Sequence, residues 1–181
     1  MIWAHATAVF AMETAYRATG NPELKQRIAL QWEFTKSSFN EEQRTGLFGR
    51  APNIAADDAG WGAMAYMSFY RMTGDMLALK NAGELVCNAY NHWAVNGSLS
   101  NGMYYNEERT FASLASVGLM CAGLDFYRNA WDKEGLSELA QTVYNQTLQL
   151  YEWIEANLRR DKPKVYSNGK ITVNVTDNLY W

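Results

Sequence analysis

Two adjacent carboxylates, Asp57 and Asp58, stand where a polar stretch meets an apolar helical pattern, and Trp61 follows three residues later. Glycoside hydrolysis uses such a pair: one carboxylate attacks or polarises the anomeric carbon, and the other handles the leaving-group proton. An ordinary helix start is the other interpretation, because aspartate is a preferred N-cap and a first-turn carboxylate gains about 0.3–1 kcal/mol from the helix dipole. Spacing alone leaves both interpretations open.

A catalytic role for this pair sets a condition on its protonation. A helix N-terminus favours the ionised form of both aspartates, whereas a general acid must keep its proton until it acts. Repulsion between the two charges, and desolvation against Trp61, are the effects that raise a carboxyl pKa here. The catalytic interpretation therefore predicts that one of the two aspartates has a raised pKa.

Aromatic residues and an imidazole are the other candidates for a binding site. Trp3 and His5 lie near the start of one helical pattern, and Tyr104 and Tyr105 lie in the loop 101–107. Aromatic rings beside carboxylates suit a carbohydrate, whose apolar ring faces stack on aromatics while its hydroxyls form hydrogen bonds. The competing interpretation is core packing for the aromatic residues and a structural role for the histidine. The predicted substrate-binding residues are Trp3, His5, Trp61, Tyr104 and Tyr105.

A Tyr-Arg pair recurs along the chain, beginning at residues 16, 70 and 127. A unit of about 55 residues is typical of stacked or circular repeats. In the first two copies, Gly20 and Gly74 are placed to end one helix in the left-handed conformation. Each copy therefore predicts a helical hairpin, whose second helix is N-capped by Asn21, Asp75 or Asp132.

The two helices of each hairpin differ in polarity. The first helices carry few charges, as expected of helices surrounded by protein, and the second helices carry charged faces. Inner apolar helices alternating with outer amphipathic ones predict an all-α fold, an α/α toroid of the (α/α)6-barrel type, as a single domain over residues 1–181. Three hairpins are half of such a ring, so we expect an incomplete, N-terminal half-barrel that aggregates or dimerises through its open edges. The predicted inner helices are 3–19, 58–73 and 110–129; the outer ones are 22–38, 75–92 and 133–160.

Composition excludes several classes of function. A net charge of −3 without a basic patch gives no footprint for nucleic acid. The helical segments are interrupted by charges and glycines, so none is predicted to span a membrane, and the N-terminal residues do not form a signal-peptide pattern. Cys87 and Cys121 lack metal or redox spacing and are predicted to be buried thiols. No phosphate loop or zinc motif is present, so neither a cofactor nor a metal is predicted.

The chain resembles glycoside hydrolase family 76, the endo-α-1,6-mannanases and their fungal cell-wall relatives. The similarity lies in Trp3-Ala-His-Ala, in the Tyr-x-x-Thr-Gly-Asn/Asp turns, in Asp57-Asp58-Ala-Gly-Trp61, and in Asn101-Gly-Met-Tyr-Tyr105. The resemblance implies an (α/α)6 barrel and a retaining reaction on a mannan-like oligo- or polysaccharide. Asp57 would be the nucleophile and Asp58 the acid/base, and the location would be extracellular, cell-surface or periplasmic.

The sequence departs from the family pattern in two places. Tyr104-Tyr105 stands where the family usually has tryptophans, and Phe111-Ala112 stands near its Lys-Asn element. Two alternatives therefore remain open. One is a non-catalytic glycan-binding relative on the same scaffold, and the other is a six-hairpin enzyme of the epimerase or unsaturated-uronyl hydrolase type.

Overall fold

The computed structural model describes residues 2–38, 40, 46–107, 115–157, 165–167 and 172–174. These residues are mostly helical, which confirms the predicted all-α class. A short antiparallel hairpin, in which Tyr166 pairs with Val173, is the exception. The elements are α1 (Ile2–Thr19), α2 (Pro22–Ser37), α3 (Ala56–Thr73), α4 (Met76–Trp93), α5 (Ala115–Ala130), α6 (Ser137–Asn157), β1 (Val165–Ser167) and β2 (Thr172–Asn174).

The first two helix–helix turns follow the predicted repeat. Gly20 and Gly74 adopt the left-handed conformation, with φ of 67° and 74°. Asn21 and Asp75 then act as N-caps, each accepting a hydrogen bond from the backbone N–H two residues on, at 3.0 and 2.9 Å. Asp75 also accepts a hydrogen bond of 2.8 Å from the indole of Trp32 on α2. The second cap therefore fastens one hairpin to the next as well as starting a helix.

The third turn is longer than predicted, and Asp132 does not cap α6. The position equivalent to Gly20 and Gly74 is Trp131, and a bulky side chain makes the left-handed conformation costly. The chain continues in turns until Gly135 supplies that conformation, with φ of 74°. As a result, α6 begins at Ser137 instead of at residue 133.

The central inner helix, α3, has neighbours on both sides. It packs against α1 and α5, while α2, α4 and α6 pack against α1, α3 and α5 respectively. A Cβ added at Gly60 of α3 would lie 2.9 Å from the backbone nitrogen of Leu119 on α5, so the glycine permits close approach of these helices. The first helix of each hairpin therefore neighbours the first helix of the next, in the order α1–α3–α5.

Among the described residues, only α3 is surrounded by protein, whereas the other two helices that were predicted to be inner expose apolar side chains. Phe10 on α1, and Val117 and Leu124 on α5, are 39%, 43% and 45% exposed. Cys121 on α5 is also exposed, contrary to the prediction of a buried thiol. The physical reason is that α1 and α5 each have an inner helix on one side only within the described residues.

An ion-pair network at the far end of α3 joins all three inner helices. Arg71 donates to both carboxylate oxygens of Glu13 on α1, at 2.6 and 2.7 Å, and it also pairs with Asp125 on α5. Glu13 is almost completely buried and accepts a further hydrogen bond of 2.9 Å from Nε of Arg17. Burial alone would raise the pKa of Glu13, but the hydrogen bonds led by Arg71 outweigh it and lower that pKa.

Candidate functional site

The Asp57-Asp58 pair lies in the first turn of α3, but neither aspartate is its N-cap. The helix begins at Ala56, and Ala55 occupies the cap position without any side-chain hydrogen bond. The backbone N–H of Ala56 instead donates to the carbonyl oxygen of Tyr105 at 2.9 Å. The prediction that an aspartate is the N-cap of α3 is therefore wrong, whereas both aspartates do lie in the first turn, as the helix-start interpretation also predicts.

Asp57 is held from two directions. Its Oδ1 accepts a hydrogen bond of 2.9 Å from the backbone N–H of Asp58, and its Oδ2 accepts one of 3.3 Å from the hydroxyl of Tyr105. The pKa of Tyr105 is raised by desolvation and by the charge of Asp57, so the phenol keeps the proton that it donates. A carboxylate with a contact on each oxygen is oriented before any ligand binds.

Asp58 has a raised pKa, as the catalytic interpretation requires of one member of the pair. Desolvation by burial is the larger cause, and repulsion from the charge of Asp57 adds to it. Two adjacent carboxyls therefore differ in their surroundings: Asp57 is hydrogen-bonded, whereas Asp58 is pushed towards its neutral form. Such divergence is typical of pairs in which one carboxyl acts as a base or nucleophile and the other as an acid.

Asp58 lines a cavity of about 310 Å³ at the N-terminal end of α3. The wall combines backbone and side chains from three segments: the approach to α3, the end of α4 and the loop before α5. Carboxyl, amide and indole groups face one space, which is a composition suited to a polar organic ligand. The lining residues are Pro52, Asn53, Ile54, Ala55, Asp58, Trp93, Asn106 and Glu107.

A second cavity of about 510 Å³ adjoins the first, since Pro52, Trp93 and Glu107 line both. Tyr104 and His92 line this second space, so Tyr104 lies beside the neighbouring cavity and not in the one that contains Asp58. The two cavities together form a groove, which we call the rim groove, with Trp93 between its two parts.

Trp93 is one of several lining residues that were not among the predicted site residues; Asn53, Asn106 and Glu107 are others. Trp93 ends α4, an outer helix, and is buried, with its ring 4.5 Å from that of His92. The indole Nε1 is buried and has no hydrogen-bond partner among the described residues. The sequence could have indicated this role, because Trp93 ends α4 just before the loop that carries Tyr104 and Tyr105.

The loop between α4 and α5 is positioned by backbone contacts. The N–H of Tyr104 donates to the carbonyl of Trp93 at 2.7 Å, and Val95 donates to Gly102 at 3.1 Å. Gly102 has φ of 99° and lies against the indole of Trp153 on α6, where a Cβ would be 2.7 Å from the ring. The loop is thus fixed between α4 and α6, and that placement brings Tyr105 to the start of α3.

The other predicted substrate-binding residues are Trp61, His5 and Trp3, and the structure does not join them to Asp57 or Asp58 by a described contact. Trp61 is half-buried and packs against the core. The ring of His5 lies 5.6 Å from that of Phe48, and burial lowers the pKa of His5. Among the described residues, no recorded hydrogen bond or ring contact joins His5 or Trp61 to either aspartate. Trp3 lies in α1, but its side chain is outside the described residues.

Neither a membrane span nor a metal cluster is found in the described part of the chain. No helix there is both long enough and apolar enough to cross a bilayer. Within the same residues, no group of three or more histidines, cysteines, aspartates or glutamates is arranged to hold a metal ion.

No protein-family model, curated protein or solved structure matches this chain.

Proposed function

We propose that this chain is a retaining glycosidase acting on α-mannosidic, α-1,6-mannan-like linkages, with Asp57 as nucleophile and Asp58 as acid/base. The observation that carries the proposal is the asymmetry of the pair. Asp57 is oriented through both of its oxygens, while burial and the neighbouring charge raise the pKa of Asp58. An ionised nucleophile beside a protonated acid is the starting state of the retaining reaction.

The reaction proceeds in two displacements. Asp57 attacks the anomeric carbon while the glycosidic bond breaks, and Asp58 gives its proton to the leaving oxygen. A covalent glycosyl ester on Asp57 results, and Asp58 is now a carboxylate. Asp58 then takes a proton from water, which attacks the anomeric carbon and releases Asp57, so that both aspartates return to their starting states.

The substrate class is proposed from the rim groove together with the family resemblance. Trp93 and Tyr104 supply aromatic surface, and Asn53, Asn106 and Glu107 supply polar groups along the same groove. Sugars combine apolar ring faces with hydroxyls and match such a lining. That the sugar is mannose, and that the protein acts outside the cytoplasm, at the cell surface or in the periplasm, rests on the resemblance alone.

The scaffold that we propose is an α/α toroid in which α1, α3 and α5 form the inner layer and α2, α4 and α6 the outer layer. The packing order of the helices supports it. In this arrangement the N-terminal end of α3 and the loop before α5 share one rim, as the contact between Tyr105 and Asp57 requires.

The test is hydrolysis of α-1,6-linked mannan and manno-oligosaccharides, with the anomer of the first product followed by NMR. We expect the α-anomer, and we expect Asp58→Asn to lower the rate by about 10²–10⁴-fold, as for loss of a general acid–base. Asp57→Asn should abolish turnover, whereas Asp132→Asn, on an exposed turn, is the matched control and should leave the rate unchanged.

The outcomes separate the alternatives. Wild-type hydrolysis by either active-site variant would refute the assigned roles, and release of the β-anomer would refute the retaining reaction. Mannan binding without any turnover by the wild-type protein would instead favour the non-catalytic glycan-binding relative.

A further inference from the structure

Trp93 lies in the middle of the rim groove and carries a hydrogen-bond donor that the fold does not use. It lines both cavities, together with Pro52 and Glu107. The residue is 4% exposed, and its indole Nε1 is buried without a hydrogen-bond partner among the described residues. A buried N–H that makes no hydrogen bond has lost its contact with water without compensation, which costs folding free energy. The indole is therefore a donor that a ligand in the groove can satisfy.

The position of Trp93 is fixed by its backbone and by a neighbouring ring. Its carbonyl oxygen accepts a hydrogen bond of 2.7 Å from the N–H of Tyr104, and Ala94 pairs with Met103 in an antiparallel bridge. The ring of His92 lies edge-on to the indole, with the two centroids 4.5 Å apart. None of these contacts uses Nε1, so the residue is held in the groove while its donor stays unused.

Another buried polar atom without a partner among the described residues, Oδ1 of Asn81, has different surroundings. Asn81 lines a cavity of only about 20 Å³ with Arg50 and Glu84, and a single water molecule is enough to fill that space. The two parts of the rim groove measure about 310 and 510 Å³, which is the size of cavities that bind organic ligands. The unused donor of Trp93 therefore borders a space that accepts a ligand and not only a water molecule.

The groups beside Trp93 select the chemistry of that ligand. An indole N–H only donates a hydrogen bond, and a carboxylate such as that of Glu107, which also lines both cavities, only accepts one. A hydroxyl does both, so one ligand hydroxyl can accept from Trp93 and donate to Glu107. A carboxylate or phosphate on the ligand cannot donate to Glu107, and an ammonium group cannot accept from Trp93.

The charge of the groove favours the same kind of ligand. Among the described residues that line it, Asp58 and Glu107 are acidic, His92 is the one basic side chain, and none is lysine or arginine. The charge of Glu107, and that of Asp58 whenever it is ionised, repels an anionic ligand. A neutral ligand that carries hydroxyls meets no such repulsion.

We propose that Trp93 and Glu107 bind one hydroxyl of a neutral saccharide at the middle of the rim groove, so that the groove selects neutral over acidic saccharides. Because Nε1 is buried when no ligand is present, the indole turns towards the ligand oxygen, and the cavities on its two sides leave space for that turn. The inference rests on the glycan site of the proposed function. It does not require that the bound saccharide be cleaved.

The indole N–H resonance of Trp93, measured by NMR, reports this hydrogen bond directly. The neutral probe is α-1,6-mannotetraose, and the Asp57→Asn background removes the proposed nucleophile so that the probe stays intact. We expect the Trp93 resonance to move downfield as the probe binds. Tetragalacturonate, an acidic tetrasaccharide, should leave the resonance in place.

Trp93→Phe should weaken the binding of mannotetraose by about 3–10-fold, the effect of losing one neutral hydrogen bond. Trp32→Phe is the matched control, because Trp32 is also a buried tryptophan, but its indole donates to Asp75 at 2.8 Å, at the opposite end of α4 from Trp93. It should leave the affinity unchanged. It should also lower the urea midpoint more than Trp93→Phe does, since only Trp32 loses an existing hydrogen bond.

Glu107→Ala keeps the test decisive if Trp93→Phe does not fold, because Glu107 is exposed and its replacement leaves the core intact. We expect it to weaken mannotetraose binding as well, since the bound hydroxyl loses its acceptor.

Several results would overturn the proposal. They are mannotetraose that does not bind or binds without moving the Trp93 resonance, tetragalacturonate that binds as tightly, and an affinity that Trp93→Phe or Glu107→Ala leaves unchanged. Equal losses of stability in Trp93→Phe and Trp32→Phe would overturn it too, because the donor of Trp93 would then be paired within the protein. A probe that binds through Trp93 but is not cleaved by the wild-type protein would refute the glycosidase alone.

Discussion

Asp57 and Asp58 are neighbours in the sequence but have different surroundings. Asp57 accepts hydrogen bonds from the backbone of Asp58 and from Tyr105, whereas burial and the charge of Asp57 raise the pKa of Asp58. A carboxyl kept towards its neutral form serves an acid role but costs folding free energy once it ionises. The proposed acid role and the stability of the fold therefore place opposite demands on this residue.

Replacing Asp58 by Asn is predicted to stabilise the protein at neutral pH. Because the folded-state pKa of Asp58 is raised, its ionisation costs stability as the pH rises through that pKa, and the cost is absent below the unfolded-state pKa. We expect a gain of about 0.5 kcal/mol after solvent screening, or about 1–2 °C in Tm.

Thermal unfolding of wild type and Asp58→Asn across the acidic range measures this difference. The two melting temperatures should converge at low pH and separate as the pH rises, while exposed Asp132→Asn should show no such trend. A variant that is less stable than wild type at neutral pH would mean that the ionised Asp58 is favourably paired.

At the scale of elements, the site depends on one loop reaching the start of one helix. The first N–H of α3 is satisfied by Tyr105 and not by a capping side chain of its own segment. Gly102, held against Trp153 of α6, sets the path of that loop. The loop between α4 and α5 therefore supports the start of α3, the orientation of Asp57 and the wall of the rim groove.

Gly102→Ala is predicted to destabilise the protein more than Gly97→Ala. Both glycines have positive φ, of 99° and 76°, so alanine strains the backbone at each, and the strain is larger at Gly102, whose ψ of −170° lies in a region essentially restricted to glycine. Only at Gly102 does the added Cβ meet a side chain, 2.7 Å from the ring of Trp153, while Gly97 has open space. We expect about 2–3 kcal/mol for Gly102→Ala.

Urea unfolding of the two variants checks this prediction, and a Trp153→Leu background separates the collision with the indole from the backbone strain at Gly102. Trp153→Leu in the Gly102→Ala background should recover part of the loss. Equal midpoints for the two alanine variants would contradict this prediction.

At the scale of the whole molecule, Arg71 holds the three inner helices together. It pairs with buried Glu13 on α1 and with Asp125 on α5, and Asn129 donates to the same Asp125 carboxylate at 3.1 Å. The network lies at the C-terminal end of α3, whereas the catalytic candidates lie at its N-terminal end. Helix order and site geometry are thus stabilised at opposite ends of one helix.

Arg71→Met is predicted to cost about 2–3 kcal/mol at neutral pH, because the buried Glu13 carboxylate loses its main cationic partner and keeps the exposed Arg17 and the hydroxyl of Ser68. Arg17→Met, at the same carboxylate but on the surface, should cost less than about 1 kcal/mol. The expected fall in Tm for Arg71→Met is about 4–12 °C.

The loss of stability in Arg71→Met should depend on pH, in a direction set by the pKa of Glu13. Since the folded-state pKa of Glu13 is lowered, its contribution is present above the unfolded-state pKa and is lost as the pH falls through the folded-state pKa. The gap between wild type and Arg71→Met should therefore narrow in acid. A stability difference between wild type and Arg71→Met that does not change with pH would show that the loss comes from packing and not from charge.

The sequence by itself determined the local features of this protein. Gly20 and Gly74 ended their helices, Asn21 and Asp75 began the next ones, and the Tyr-Arg repeat placed the hairpins. These features depend on backbone conformation and on groups within a few residues of each other, so residue types and their spacing are enough to predict them. The third turn departed from the pattern where a tryptophan replaced the glycine.

The tertiary structure decided what depends on distance through space. Tyr105 meets Asp57 across 48 residues of sequence, Trp93 from an outer helix divides the rim groove, and Arg71 finds partners on two other helices. Which aspartate has the raised pKa depends on burial and on a neighbouring charge, and burial is a property of the packed chain. For the same reason, the exposed edges of α1 and α5 became visible only once the helices had been packed.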